Sequence, residues 1–275
     1  MATFDAASIG PFLRIGLVGC GRVGRTVAFA IDTGRVHVDL AAICDTNADK
    51  VQELMFQLKR PTRSMSLQGL VASVDLVIEC TNRHIAPTVI MAAMNGGKDI
   101  LVTNAAAVLA RDDLGRLADE RGLTIFVADA LLTGADALDA VAATPSGTTV
   151  TLTLTCPPGV LAGAPFLRGK ELPGGEGARL VFQGEARDAM AGFPTLANTI
   201  AAALIGADAA ELLVRVALHD IADAVMIDLA VSAAKQETTQ QVRVANHGSE
   251  AIDPEVVGLA VVGFLRSLVS PIRLA

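Results

Sequence analysis

Apolar residues in the first half of the chain come in short unbroken runs, separated by segments with helical spacing. Leu13–Val18 is one such run; a glycine-rich turn follows, and Val23–Thr33 then repeats its apolar residues at helical intervals, which predicts a strand, a turn and a helix. Val38–Cys44 and Asn47–Leu58 form a second pair, the latter with Val51, Leu54, Met55 and Leu58 on one helical face. Val74–Glu79 and Ile100–Thr103 predict further strands around a helix at Ala86–Asn95, which ends at Gly96-Gly97 as helices commonly do. Leu114–Arg121 and Thr124–Ala128 add a helix and a strand. Strands that are apolar throughout, alternating with helices, imply a parallel sheet covered on both faces.

The rhythm changes after about Thr144. Val150–Thr155 alternates Val and Leu with Thr, as a strand with one solvent-facing side does, until Pro157-Pro158-Gly159 breaks it. The stretch Gly159–Gly177, rich in Gly and Pro, reads as an exposed loop. Arg179–Phe182, Leu212–Leu218, Val225–Val231 and Gln240–Val244 read as strands and Leu196–Leu204 as a helix, which together fit a mixed or antiparallel sheet. Asp253-Pro254 opens a last helix, Glu255–Leu268, whose apolar residues are expected to dock onto the first half. The expected division is a first domain at 1–130, a second α+β domain at 131–250, and a segment at 251–275 that returns to the first.

Composition narrows the choice of partner. The chain has 275 residues, 52% of them hydrophobic, and a formal net charge of -7. Phosphate backbones are bound by clustered Lys and Arg, so the acidic balance and the lack of a basic run exclude a nucleic-acid partner. Asp, Arg, Gly or Pro interrupts each apolar stretch before the roughly 20 residues needed to span a bilayer, and Met1–Gly10 lacks a basic start followed by an apolar stretch. A cytoplasmic protein without membrane contact is the expectation. Cys20, Cys44, Cys80 and Cys156 are too widely spaced for a CxxC pair and read as buried, reduced thiols. No grouping of His, Cys or carboxylates has metal-ligand spacing, so no metal is expected.

The turn itself is Gly19-Cys20-Gly21-Arg22-Val23-Gly24. In a dinucleotide site the first Gly of GxGxxG allows a tight turn, the second lets the backbone approach the pyrophosphate, and the third lets helix pack closely on strand. Helix N-terminal amides receive the anion. The pattern alone is weak, but here it follows a strand and opens a helix, and Asp45 closes the second strand 21 residues past Gly24. A carboxylate there bonds the ribose hydroxyls and repels a 2′-phosphate. The fold class is therefore α/β, a Rossmann-type parallel sheet with a second α+β domain. The cofactor is NAD, with NADP left open because Arg22 and Lys50 could reach the same region.

In order along the chain, further elements resemble the L-aspartate dehydrogenase family of NAD(P)-dependent enzymes. They are Ile15-Gly16-Leu17-Val18-Gly19-Cys20-Gly21, Leu76-Val77-Ile78-Glu79-Cys80, Gly97-Lys98-Asp99-Ile100-Leu101-Val102, Thr133-Gly134-Ala135-Asp136-Ala137-Leu138, Cys156-Pro157-Pro158 and Phe182-Gln183-Gly184-Glu185-Ala186-Arg187-Asp188-Ala189, the last leading to Phe193-Pro194. The resemblance implies cofactor contacts at Asn198, at Leu131, and at Thr103-Asn104-Ala105, where a hydroxyl and an amide are available. With the turn, the expected cofactor set is Gly19, Gly21, Arg22, Val23, Gly24, Asp45, Cys80, Thr81, Asn104, Leu131 and Asn198. Relatives pair through the second domain, which implies a homodimer.

The sequence departs from the family where the resemblance would supply a catalytic His in an Asn-x-His element. That position falls on Ile227 without gaps and on Asp228 after a one-residue shift, and Ile cannot transfer a proton. Near the end, Asp253-Pro254-Glu255-Val256-Val257 lacks the cation and hydroxyls that suit a dicarboxylate. Asp228 and His219 are the candidate acid-base groups, although a histidine at a strand end also serves as a surface cap. Arg83 and His84, past a strand's carboxyl end, are candidates to border the nicotinamide or to bind a substrate carboxylate. His37 and His247 read as loop and turn; Arg168 and Lys170 could form a lid, though a charged exposed loop has the same look. The expected function is hydride transfer between nicotinamide and a small amino or imino acid other than aspartate, the substrate lying between the domains. The alternative is a dinucleotide-binding homologue without turnover, acting as a sensor or interaction protein.

Overall fold

The computed structural model describes residues 13–128, 148–172, 176–207, 211–219, 224–233, 236–245 and 252–271. The chain divides into two compact units, one drawn from Met1–Ala130 with Pro254–Ala275 and the other from Leu131–Asp253.

In the first unit, strands β1 (Arg14–Val18), β2 (Asp39–Cys44), β3 (Arg63–Ser64), β4 (Leu76–Glu79), β5 (Asp99–Val102) and β6 (Ile125–Val127) form one sheet in the order β3-β2-β1-β4-β5-β6. Every pairing is parallel, and the order reverses beside β1, the arrangement of a Rossmann fold. Apart from the short edge strand β3, the strands send residues to two separate cores. Ile15, Leu17, Ile43, Ile78 and Leu101 face one core with Val27 and Ile31 of helix α1 (Arg22–Asp32). Val18, Ala42, Val77, Ile100 and Val102 face the other with Leu70 and Val71 of α3 (Leu67–Ser73) and Val89 and Ile90 of α4 (Ala86–Asn95). Burial on both faces is what the unbroken apolar runs require.

Two short elements give no period to read: β3 is two exposed residues, and α3 is seven residues long, started by Ser66, whose hydroxyl accepts the Gly69 N–H at 3.2 Å. The helix Pro254–Val269 belongs to the first unit and places Val261, Val262 and Leu265 in the α1 core, with Phe264 against Phe126 at 4.9 Å between ring centroids. It crosses α1 at Gly258, where a Cβ would stand 2.6 Å from Thr26 Cβ and 3.1 Å from Val23 O. Gly258→Leu should therefore destabilise the first unit by about 2–3 kcal/mol despite the better helix propensity of Leu. A thermal melt would check this, and an unchanged midpoint would mean that the two helices can part without loss.

The second unit holds β7 (Thr149–Cys156), β8 (Arg179–Glu185), β9 (Glu211–Leu218), β10 (Ala224–Ala233) and β11 (Gln236–Ala245) in the order β11-β10-β7-β9-β8. The sheet is mixed, since β7 and β9 run parallel while the other neighbours are antiparallel. Val150, Leu152, Leu154, Val214, Val216, Val225 and Ile227 are buried on one face, while Thr151, Thr153, Asp228 and Arg215 lie on the other, more open one.

The stretch expected to be an exposed loop at 159–177 is partly folded. Pro158–Leu161 forms a helical turn, Pro165–Leu167 a 3-10 turn, and Val160, Leu161 and Ala164 are buried. Three phenylalanines explain it: Phe166 packs on Phe182 and Phe193 at 5.0 and 5.5 Å between centroids. Lys170 Nζ lies 3.2 Å from the centre of the Phe166 ring, so this candidate lid residue is held by its own segment. Among the described residues, no single helix is long and apolar enough to cross a membrane.

Candidate dinucleotide site

The three glycines of the turn answer to three different constraints. Gly19 has φ +105°, and a Cβ on it would lie 2.3 Å from Cys80 O; only glycine takes that backbone without strain. Its N–H donates to Cys44 O at 2.8 Å, while Cys80 N–H donates to Val18 O at 2.8 Å, so β2, β1 and β4 are tied together where the turn begins. A Cβ on Gly24 would stand 1.9 Å from Gly19 O, because the first turn of α1 lies directly on the loop. Gly21 differs: a Cβ there would meet nothing within 4 Å. It is the N-cap of α1, supplies no side-chain acceptor to the helix, and lines a cavity of about 440 Å³. An open backbone at a helix N-terminus is a cradle for an anion. Arg22 begins the helix on its exposed side, and Val23 packs partly into the core.

Asp45 stands beside this cradle. Its Oδ2 accepts the Cys20 N–H at 2.7 Å and its Oδ1 accepts the Asn47 N–H at 2.8 Å, which fixes the carboxylate against the turn and at the start of α2 (Ala48–Gln57). Asp45 and Lys50 both line the cavity, along with Cys80 and Thr81. Cys20, Cys80 and Cys156 are buried and Cys44 half-buried, and all four are free thiols. Burial and then the Asp45 charge push the Cys20 thiol up to about 12, burial alone takes Cys156 up to about 12, and burial followed by the Glu79 charge holds Cys80 well above the ordinary thiol range.

At the carboxyl ends of β4 and β5 the structure brings Thr81 and Asn104 together through Glu79. Glu79 is fully buried. Its Oε1 accepts the Thr81 N–H at 2.6 Å, the Thr81 hydroxyl at 2.7 Å and Asn104 Nδ2 at 2.9 Å. Oε2 accepts the N–H groups of Thr103 and Asn104 at 3.2 and 3.3 Å and Asn104 Nδ2 at 3.1 Å. Thr103 Oγ1 donates to the Glu79 carbonyl at 3.1 Å. The hydroxyl and amide nitrogen read as available for a cofactor are thus turned toward Glu79, a residue to which sequence reasoning gave no role. The signal was a charged residue closing an otherwise apolar buried strand.

Arg83 and His84 lie on the exposed turn before α4. Asn82 Oδ1 accepts the N–H groups of His84 and Ile85, and Arg83 Nε donates to His84 Nε2 at 3.2 Å. In the second unit, His219 follows β9 and its N–H donates to Cys156 O at 3.0 Å. Asp228 is mid-strand on the open face, pairs across to Thr153, and accepts Gln241 Nε2 at 2.5 Å. Since Thr153 pairs with Arg215, Asp228 and His219 are separated by two strand spacings, roughly 10 Å, and four residues of strand, roughly 13 Å; they do not form an acid-base pair. Ile227 faces the core at 1% exposure. Asn198 is half-buried in the first turn of the helix Ala197–Ala207. Leu131 and His247 lie outside the described residues, and among the described residues no three His, Cys, Asp or Glu could hold a metal ion.

Residues 19–128 match the family described as homoserine dehydrogenase, NAD binding domain, and residues 136–268 match aspartate dehydrogenase, C-terminal. The chain is 33% identical over 195 residues to an L-aspartate dehydrogenase of Methanosarcina acetivorans, covering 69% of this chain and 72% of that protein. It is 34% identical over 195 residues to an L-aspartate dehydrogenase of Methanosarcina barkeri, with the same coverage. The crystal structure of aspartate dehydrogenase from Thermotoga maritima superposes with a TM-score of 0.69 at 14% identity, over 96% of this chain and 99% of that one. A scyllo-inositol dehydrogenase from Lactobacillus casei with bound NAD(H) and scyllo-inositol superposes with a TM-score of 0.53 at 15% identity, over 94% and 88%, and at that distance shows only a shared fold. With a dinucleotide cradle of this geometry and relatives at this identity and coverage, the chain belongs to the L-aspartate dehydrogenase family.

Proposed function

We propose that the protein is an NAD-dependent oxidoreductase that moves a hydride between nicotinamide and a small amino or imino acid other than aspartate. The observation that carries the reading is Gly21, an N-cap whose missing side chain leaves an open cradle within reach of the fixed carboxylate of Asp45. Gly19, Gly21, Arg22, Val23 and Gly24 would hold the pyrophosphate, and Asp45 the adenosine ribose. Cys80, Thr81 and Asn104 would border the nicotinamide, and Asn198 and Leu131 are kept as the further cofactor contacts that the family resemblance implies. The cofactor, once bound, supplies the hydride chemistry; this chain binds, orients and exchanges a proton. Arg83 offers the cation for a substrate carboxylate, with His84 as its neighbour. His219 and Asp228 are the groups proposed to replace the family's histidine, each acting alone given their separation. We place the substrate and dimer contacts in residues 131–250 and assign the assembly as a homodimer in the cytoplasm.

Loss of a dicarboxylate-binding end, Asp253-Pro254-Glu255, supports a substrate other than aspartate. Steady-state assays with NADH, ammonia and a panel of keto acids, and with NAD and the matching amino acids, test the reading. Turnover with a substrate other than aspartate and oxaloacetate is expected; turnover with aspartate alone overturns the substrate assignment. The separation of His219 from Asp228 favours one second reading, a dinucleotide-binding homologue without turnover, for which the same assays would stay silent while the cofactor still binds.

Cofactor choice gives a further prediction. Asp45→Ala should weaken NAD binding by about ten-fold or more, equal to about 1.4 kcal/mol, and narrow the gap between NAD and NADP. Calorimetric titration with both dinucleotides reads it; equal losses for the two would place the 2′ region away from Asp45.

A further inference from the structure

Glu79 is the charged residue that the reading above leaves without a task. It is sealed from solvent one residue behind Cys80, which lines the cavity. Five donor groups converge on its two oxygens, from Thr81, Thr103 and Asn104, and among the described residues no cation joins them. This arrangement suits a carboxylate and no neutral substitute. A glutamine would present one oxygen and one NH2, and the NH2 would face N–H donors. The direction of the Asn104 amide follows, because Nδ2 contacts both carboxylate oxygens and also Thr81 O at 3.0 Å. The charge is felt at the cavity wall, where it adds to burial in raising the Cys80 thiol.

Ligands of open parallel sheets gather at the carboxyl ends of the strands, and Glu79 closes β4 with Thr103 and Asn104 just past β5. The nicotinamide ring is cationic when oxidised and neutral when reduced, so a fixed negative charge in a weakly polarisable surround favours the first. We propose that Glu79 is a positioning residue that biases the site toward the oxidised dinucleotide, by holding Thr81 and the Asn104 amide in place and by setting an unbalanced negative charge behind them. The proposal rests on the dinucleotide site described above.

The test is the affinity of the full chain for NAD+ and for NADH, measured separately by calorimetry and by NADH fluorescence, in the parent and in Glu79→Gln. The expected result is an NAD+ affinity lower by about ten-fold with NADH changed less than about three-fold, the ratio a single neutralised charge gives at this scale. A merely structural role would weaken both forms alike; that result, or no change in either, overturns the proposal. Should Glu79→Gln fail to fold, the parent is titrated with benzamide adenine dinucleotide, which keeps the planar ring and carboxamide of NAD+ without its positive charge; NAD+ should bind about ten-fold more tightly than this neutral analogue, and equal affinities overturn the proposal. If the parent binds neither form, the dinucleotide reading fails and this proposal with it; if the parent binds both and the ratio is insensitive to Glu79, only the proposal fails.

Discussion

Alanine at position 21 should leave the protein without dinucleotide melting within about 2 °C of the parent while weakening dinucleotide binding by about a hundred-fold, near 2.7 kcal/mol. The stability side follows from space and backbone: a Cβ on Gly21 meets no atom within 4 Å, and its φ of -76° and ψ of -167° suit any residue. Two small effects oppose each other, the lower chain entropy of unfolded Ala and its poorer record as an N-cap, each about 0.5–1 kcal/mol. The binding side follows because the methyl group would occupy the cradle itself. Differential scanning fluorimetry and calorimetric titration of one preparation separate the two. Undiminished affinity would show that the pyrophosphate does not approach residue 21.

Gly24→Ala should do the reverse and damage the fold first. Helix propensity alone would make it stabilising by about 1 kcal/mol. The new Cβ, however, would stand 1.9 Å from Gly19 O and 3.0 Å from Gly19 C, both backbone atoms that no rotamer change can move. Relief requires α1 to lift from the end of β1, exposing Val27 and Ile31, which are now sealed beneath it. A loss of about 3 kcal/mol is expected, or about 6–12 °C in melting temperature for a unit of this size. Urea unfolding would measure it directly, and a gain in stability would show that propensity outweighs the contact. Dinucleotide binding should fall as well, so Gly21→Ala and Gly24→Ala together separate the cradle from its support.

The turn was legible because its constraints are local: a run of apolar residues, three glycines at set intervals and an acid at the next strand end all lie within Leu13–Asp45. The doubly covered sheet was legible for a related reason, since strands buried on both faces leave no polar alternation. Three things were not. The two-residue strand Arg63–Ser64 carries no period. The segment 159–177 looked like loop because Gly and Pro dominate it, while its order comes from Phe166 meeting Phe182 and Phe193, partners distant in sequence. Glu79 drew no attention because its role exists only once β4 lies beside β5 and Asn104 comes within 3 Å of it. In the second unit, sequence could nominate His219 and Asp228 but could not say that strand register keeps them apart.

The helix Pro254–Val269 bears on how such a chain comes into being. The cleft that Gly19 to Gly24 shape is synthesised well before this helix, yet one wall of the core behind it is supplied by Val261, Val262 and Leu265. During synthesis at about 5–20 residues per second, α1 waits on the order of ten to fifty seconds with that apolar flank uncovered, through the making of the entire second unit. A nascent chain stalled or clipped before residue 254 would therefore present a sticky helix rather than a smaller working domain. Chaperone dependence of expression should track the completeness of this far-end segment more than any change near the glycine turn.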